Sequence, residues 1–124
     1  MDTKEKDPRT HAIIRVAMEV HREIGPGFLE AVYHECLEIE FQIRNIPYIS
    51  KPRLKLYYKN RLLKKYYEPD FLIYSEIVVE IKAEKYLTKI DEAQIINSLK
   101  GSKKKVGLLI NFGESSLKFK RFVY

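Results

Sequence analysis

Residues 106–112, VGLLINF, are apolar almost without interruption. A strand sends alternate side chains to opposite faces, so a run with no alternation has to be covered on both sides. That condition restricts the fold to a sheet held between two layers. The run follows KIDEAQIINSLK (89–100), in which Ile90, Ala93, Ile95 or Ile96, and Leu99 recur at helical spacing. Thr88 is a good N-cap with Asp91 three residues on, and Gly101 is the expected stop. A helix crossing over to a doubly covered strand sets it parallel to an earlier strand, here the one that contains Glu80.

Upstream, Asp7-Pro8 reads as a helix start, and Ile13, Ala17, Val20 and Ile24 continue at helical spacing to Gly25-Pro26-Gly27. A second helix is predicted from Phe28 to Arg44, with an apolar face of Leu29, Val32, Cys36, Ile39 or Leu37, Phe41 and Ile43, and Asn45 as a left-handed stop. From Tyr48 the pattern becomes β. RLKLYY and RLLKKYY flank a turn at Lys59-Asn60, DFLIY and IVVEIKA flank the Ser75-Glu76 region, and LKFKRFVY closes the chain as an edge strand. The predicted order is ααββββαββ, a mixed sheet flanked by helices in an α/β sandwich. One domain is expected over 1–124, with 1–9 a flexible lead.

No run approaches the roughly 18 apolar residues of a spanning helix, and MDTKEKDPRT lacks the apolar centre of a secretory signal. These features lead to the expectation of a cytoplasmic protein with no membrane partner. The single cysteine, Cys36, excludes an internal disulfide and a multi-cysteine zinc site, and is expected to pack in the core. The 23 Lys and Arg against 17 Asp and Glu give a net charge of +6. Residues 51–65 hold seven basic residues and no acid, and KGSKKK (100–105) holds four more. Such patches suit a polyanion such as nucleic acid, and equally suit a solvated strand edge.

Glu80 and Lys82 share one face of an otherwise apolar strand, where charges need partners. Pro69-Asp70 opens the strand before it. With a three-residue loop at 74–76, Ile73 pairs with Ile77 and Asp70 falls opposite Glu80; with a two-residue loop, Phe71 does. Two opposed carboxylates repel unless a cation or Lys82 intervenes. Metal-assisted phosphodiester hydrolysis requires this grouping: Mg²⁺ takes a few carboxylates and keeps waters, one of which serves as nucleophile, while a lysine orients or deprotonates it.

Pro69-Asp70 with Glu80-Ile81-Lys82 resembles the motif of the PD-(D/E)XK nuclease superfamily. Gly27-Phe28-Leu29-Glu30-Ala31-Val32-Tyr33 reads as G-x-x-E-x-x-Y, and with EAQIINSLK and KVGLLINFG resembles the GxxExxY family within it. The resemblance implies an αβββαβ core, Asp70 and Glu80 as ligands of Mg²⁺ (Mn²⁺ as substitute), the Ile81 main-chain carbonyl as a third, and Lys82 as base or water-positioning group. It implies that Glu30 completes the site directly or through water. Gln94 matches the glutamine of a Q-x-x-x-Y element, but Ser98 stands where that element has Tyr.

Bland alternatives stand beside these. Glu30 suits the first turn of a helix, Tyr33 suits packing, and Gly27 the backbone turn. His34, four residues after Glu30, could form a ligand pair with it or be an ordinary histidine. Lys59, Arg61, Lys64, Lys103 and Lys104 are candidates for nucleic-acid contact. The function expected is a metal-dependent DNA nuclease or resolvase-like enzyme, and the small size suggests a homodimer. The alternative is a non-catalytic nucleic-acid-binding or protein-interaction module on a nuclease fold.

Overall fold

The fold comes from a computed structural model that describes residues 7–124. Helix α1 (Pro8–Ile24) is capped by Asp7, whose carboxylate accepts the Arg9 N–H at 2.9 Å, with Pro at its first position. The flexible lead predicted over 1–9 therefore reaches too far, since Pro8 and Arg9 belong to the helix; residues 1–6 lie outside the described residues. Helix α2 (Glu30–Ile43) follows, and Asn45 turns the chain at φ 57°. Strands β1 (Tyr48–Ser50), β2 (Leu54–Tyr58), β3 (Arg61–Tyr67), β4 (Phe71–Ile73) and β5 (Ile77–Lys82) precede helix α3 (Lys89–Ser102), and β6 (Val106–Asn111) and β7 (Lys118–Val123) complete the chain.

The order departs from ααββββαββ by one strand. β1 is a separate three-residue edge strand, broken from β2 by Lys51 at φ 49° and by Pro52. The main sheet runs β1-β4-β5-β6-β7, parallel between β5 and β6 and antiparallel elsewhere, while β2 and β3 form a hairpin of their own. Its two-residue turn places Lys59 and Asn60 both at positive φ, the geometry that matches strand twist.

The alternation of β5 assigns the layers. Ile77, Val79 and Ile81 join α1 and α2 in the large core with Tyr33, Leu37, Phe41 and Phe112. Val78 joins Leu54, Leu72 and Leu99 beneath α3 and the hairpin. Glu80 and Lys82 therefore project on the α3 side. β6 is buried from Gly107 to Asn111, as its composition requires.

Helix α3 buries Ile95 and Leu99, which close on Gly107, and leaves Ile90 and Ile96 exposed. It runs through Gly101 and ends at a left-handed Lys103; Gly101 makes room for Leu56, whose Cδ2 would lie 3.0 Å from a Cβ at that position. On α2 the buried face is Tyr33, Leu37 and Phe41, whereas Leu29, Ile39 and Ile43 of the expected face lie exposed. Cys36 is half-buried at the core rim.

Candidate active site

Three elements carry the acidic residues: the entrance of β4, strand β5 and the first turn of α2. The β4–β5 hairpin pairs Ile73 with Ile77 and Phe71 with Val79, so the loop has three residues and Asp70 comes opposite Glu80. Tyr74 and Ser75 make this turn at φ 55° and 63°, and the Glu76 N–H closes it on the Ile73 carbonyl at 3.1 Å. Asp70 leaves the ladder at its end: its Oδ2 accepts the Ile81 N–H at 2.8 Å, and its own carbonyl accepts the Lys51 N–H at 2.9 Å.

Glu80 accepts a hydrogen bond from the hydroxyl of Tyr67, the last residue of β3. Burial pushes the Glu80 carboxyl up to about 7; Asp70 adds to the rise and the Tyr67 hydrogen bond opposes it. Burial, then the charge of Glu80, raises the Tyr67 phenol, which stays protonated as a donor. Lys82, on the same face, extends to Asp91 with Nζ 3.8 Å from Oδ1. Asp91 also caps α3: its Oδ2 accepts the Thr88 N–H at 3.0 Å while the Thr88 hydroxyl accepts the Asp91 N–H at 3.1 Å. Burial alone would raise the Asp91 carboxyl, but the Thr88 N–H, with Glu84 and Lys82, holds it below the usual range. Glu84 moves the other way, raised by burial and then by Asp91.

The end of β5 is clamped by β6. The Phe112 N–H donates to the Lys82 carbonyl at 2.8 Å, and Asn111 Oδ1 accepts the N–H groups of Glu84 and Gly113 at 2.9 and 3.1 Å. Gly113 packs so closely that a Cβ there would sit 2.1 Å from the Glu84 carbonyl oxygen.

Glu30 enters from the other layer. Gly25 and Gly27 stand at φ 70° and 107°, which favours glycine. Tyr33 is fully buried and stacks on Phe112 with ring centres 4.6 Å apart; its hydroxyl donates to the Gly25 carbonyl at 2.6 Å and accepts the Phe28 N–H at 3.2 Å. Gly27 and Tyr33 thus set the loop that starts α2, and Glu30 is its first residue. Glu30 lines a cleft of about 400 Å³ together with His34, Glu38, Lys51, Asp70 and Ile81. Glu80 and Lys82 stand beside this cleft, on the α3 side of the sheet. Among the described residues, no three His, Cys, Asp or Glu side chains close on a single point that would hold a metal ion. His34 does not serve Glu30: its Nε2 lies 3.3 Å from Ser50 Oγ and 3.6 Å from Glu38, and its ring stacks on Phe71 at 4.1 Å.

Gln94 is exposed on α3, one turn after Asp91 and one turn before Ser98. Lys59, Arg61 and Lys64 are exposed on the hairpin. Lys103 joins them, its Nζ 3.3 Å from Asn60 Oδ1 and 4.6 Å from the Tyr57 ring centre, while Lys104 borders a separate hollow with Arg9 and Glu76. The sequence reading missed Tyr67 and the second role of Asp91. Tyr67 stands only three residues before Asp70, but in a tyrosine-rich strand it looks like packing. Its hydroxyl also interacts with the Ser98 side chain.

A family model for the PD-(D/E)XK nuclease superfamily matches residues 7–122. The chain belongs to this superfamily. Its five-stranded mixed sheet between helices is the corresponding fold. Among solved structures, the crystal structure of SSO0001 is similar at a TM-score of 0.55 and 18% identity, covering 75% of this chain and 48% of that one. The chain thus spans about half the length of that protein, and the likeness is one of fold. No curated protein matches the chain. Among the described residues, no helix is long and apolar enough to cross a membrane.

Proposed function

We propose that the protein is a metal-dependent phosphodiester hydrolase acting on DNA, with Asp70, Glu80 and Lys82 at its centre and Glu30 across the cleft. The observation that carries this reading is the Asp70–Glu80 pair. Two carboxylates side by side, one pushed up to about 7, form a site whose charge a cation would relieve. The donors are all hard oxygens: Asp70 and Glu80, with the Ile81 carbonyl. That set suits Mg²⁺, or Mn²⁺ in its place, with water filling the remaining positions. A bound divalent cation supplies Lewis acidity toward a phosphate oxygen and lowers the pKa of its water.

The protein's own groups do the rest. Tyr67 holds one oxygen of Glu80 and leaves the other to face Asp70. Asp91 aims Lys82, whose Nζ stands next to where charge develops on the phosphate or water is positioned. Glu30 orders water across the cleft. The exposed hairpin, with Arg53 4.6 Å from the Tyr66 ring centre and Lys59 5.6 Å from that of Tyr58, offers cations and aromatic faces to a nucleic-acid strand.

The test is cleavage of duplex, single-stranded and branched DNA with Mg²⁺, Mn²⁺ or chelator. The parent should cut only with metal, and Asp70→Asn and Lys82→Ala should each lose on the order of 10²-fold or more in rate. Variants that cut as fast as the parent would show the reading to be wrong.

A further inference from the structure

The half of the α2 apolar face that stays in water has an order of its own. Leu29, Val32, Cys36, Ile39 and Ile43 follow at spacings of three, four, three and four, the a/d rhythm of a two-helix seam. At 3.6 residues per turn they fall on one stripe. Leu29 is 78% exposed, Ile39 51% and Ile43 66%, while Val32 is 37% exposed and Cys36, between them, is half-buried. The buried residues Tyr33, Leu37 and Phe41 lie on another flank, and the cleft residues Glu30, His34 and Glu38 lie on the far side of the helix from the stripe. Helix α1 borders the stripe through Val20 and Ile24 without covering it.

We infer that this stripe is the seam of a homodimer, in which α2 packs antiparallel against α2 of a second copy about a two-fold axis at Cys36. The spacing is close to palindromic about that residue: Leu29 and Ile43 stand seven positions either side, Val32 and Ile39 four and three. Turned end for end, the stripe meets itself, Leu29 against Ile43 and Cys36 against Cys36, as an isologous interface requires.

The area fits. The exposed aliphatic groups leave on the order of 400 Å² of apolar surface, at the scale where a patch on a monomer marks a contact site. A standard interface buries roughly 800 Å² per partner, of which this stripe would supply about half as the apolar centre. On the rim Glu40 pairs with Arg44 at 2.8 Å and Glu19 with Arg22, while Glu23 and the exposed Glu35 add acidic charge, so association should strengthen with added salt. The cleft, across the helix, is left open. The inference does not depend on the nuclease reading.

The test is sedimentation velocity on the whole chain from low micromolar to near-millimolar concentration. The parent should pass reversibly from 14.7 kDa to twice that mass. Ile39→Glu, at the middle of the seam, should weaken association by about 30-fold or more. Leu29→Glu, at the most exposed position, serves as a second variant whose folding is not at stake. Helices packed 8–10 Å apart bring facing Cα atoms within disulfide reach, about 4–6 Å. Mild oxidation of the parent should therefore give a covalent dimer through Cys36, and of Ile39→Glu almost none. A parent that stays monomeric at the highest concentration, a dimer indifferent to both substitutions, or a dimer that forms no Cys36 cross-link would overturn the inference.

Discussion

Glu80→Gln should make the metal-free protein more stable above neutral pH and leave it unchanged in acid. Glu80 titrates near 7 in the folded chain against an ordinary 4.5. Its protonated form is favoured by folding, so that contribution is present in full below pH 4.5 and is lost as pH rises through 7. At 1.36 kcal/mol per pKa unit, the loss approaches about 3 kcal/mol. Gln reproduces the protonated side chain: its carbonyl accepts the Tyr67 hydroxyl, and its amide donates toward Asp70. Thermal unfolding at pH 8 should rise on the order of 10 °C in the variant, with no difference at pH 4. Adding Mg²⁺ at pH 8 should raise the parent toward the variant and the variant much less. A variant less stable than the parent at pH 8, or a difference that does not change between pH 4 and 8, would refute the reasoning.

Tyr67→Phe removes the larger of the two contacts that lower the Glu80 pKa, so the midpoint of metal binding measured by calorimetry across pH should move upward. Gly113→Ala drives a methyl into the Glu84 carbonyl and should cost about 2 kcal/mol or more in urea unfolding, with weaker activity because the same clamp holds the end of β5. Tyr33→Phe strands the Gly25 carbonyl and the Phe28 N–H; it should cost about 1–3 kcal/mol and lower activity through Glu30 while the titration of Glu80 stays in place.

What could be read in advance follows from which signals are local. The register of Asp70 against Glu80 depended only on a loop length, and the doubly apolar VGLLINF strand required two covering layers. Helix α2 was harder. Its apolar residues span well over half its circumference, so spacing alone could not say which half faced inward; the aromatic and leucine flank of Tyr33, Leu37 and Phe41 won the core by filling it. Gly101 looked like a stop because its reason lies in Leu56, far away in sequence. Strand β1 has only three residues and no alternation to detect. Tyr67 was unreadable for the same reason as Gly101, since its partner Glu80 is met only after the hairpin folds back.

Asp91 holds the first turn of α3 with one oxygen and faces Lys82 with the other. Most substitutions touch both duties: Asp91→Ala would loosen the cap and withdraw the lysine's partner together. Asp91→Asn parts them, because an amide oxygen still accepts the Thr88 N–H while the charge facing Lys82 is gone. The crossover helix needs only an acceptor oxygen there, whereas the surroundings of Lys82 depend on a charge.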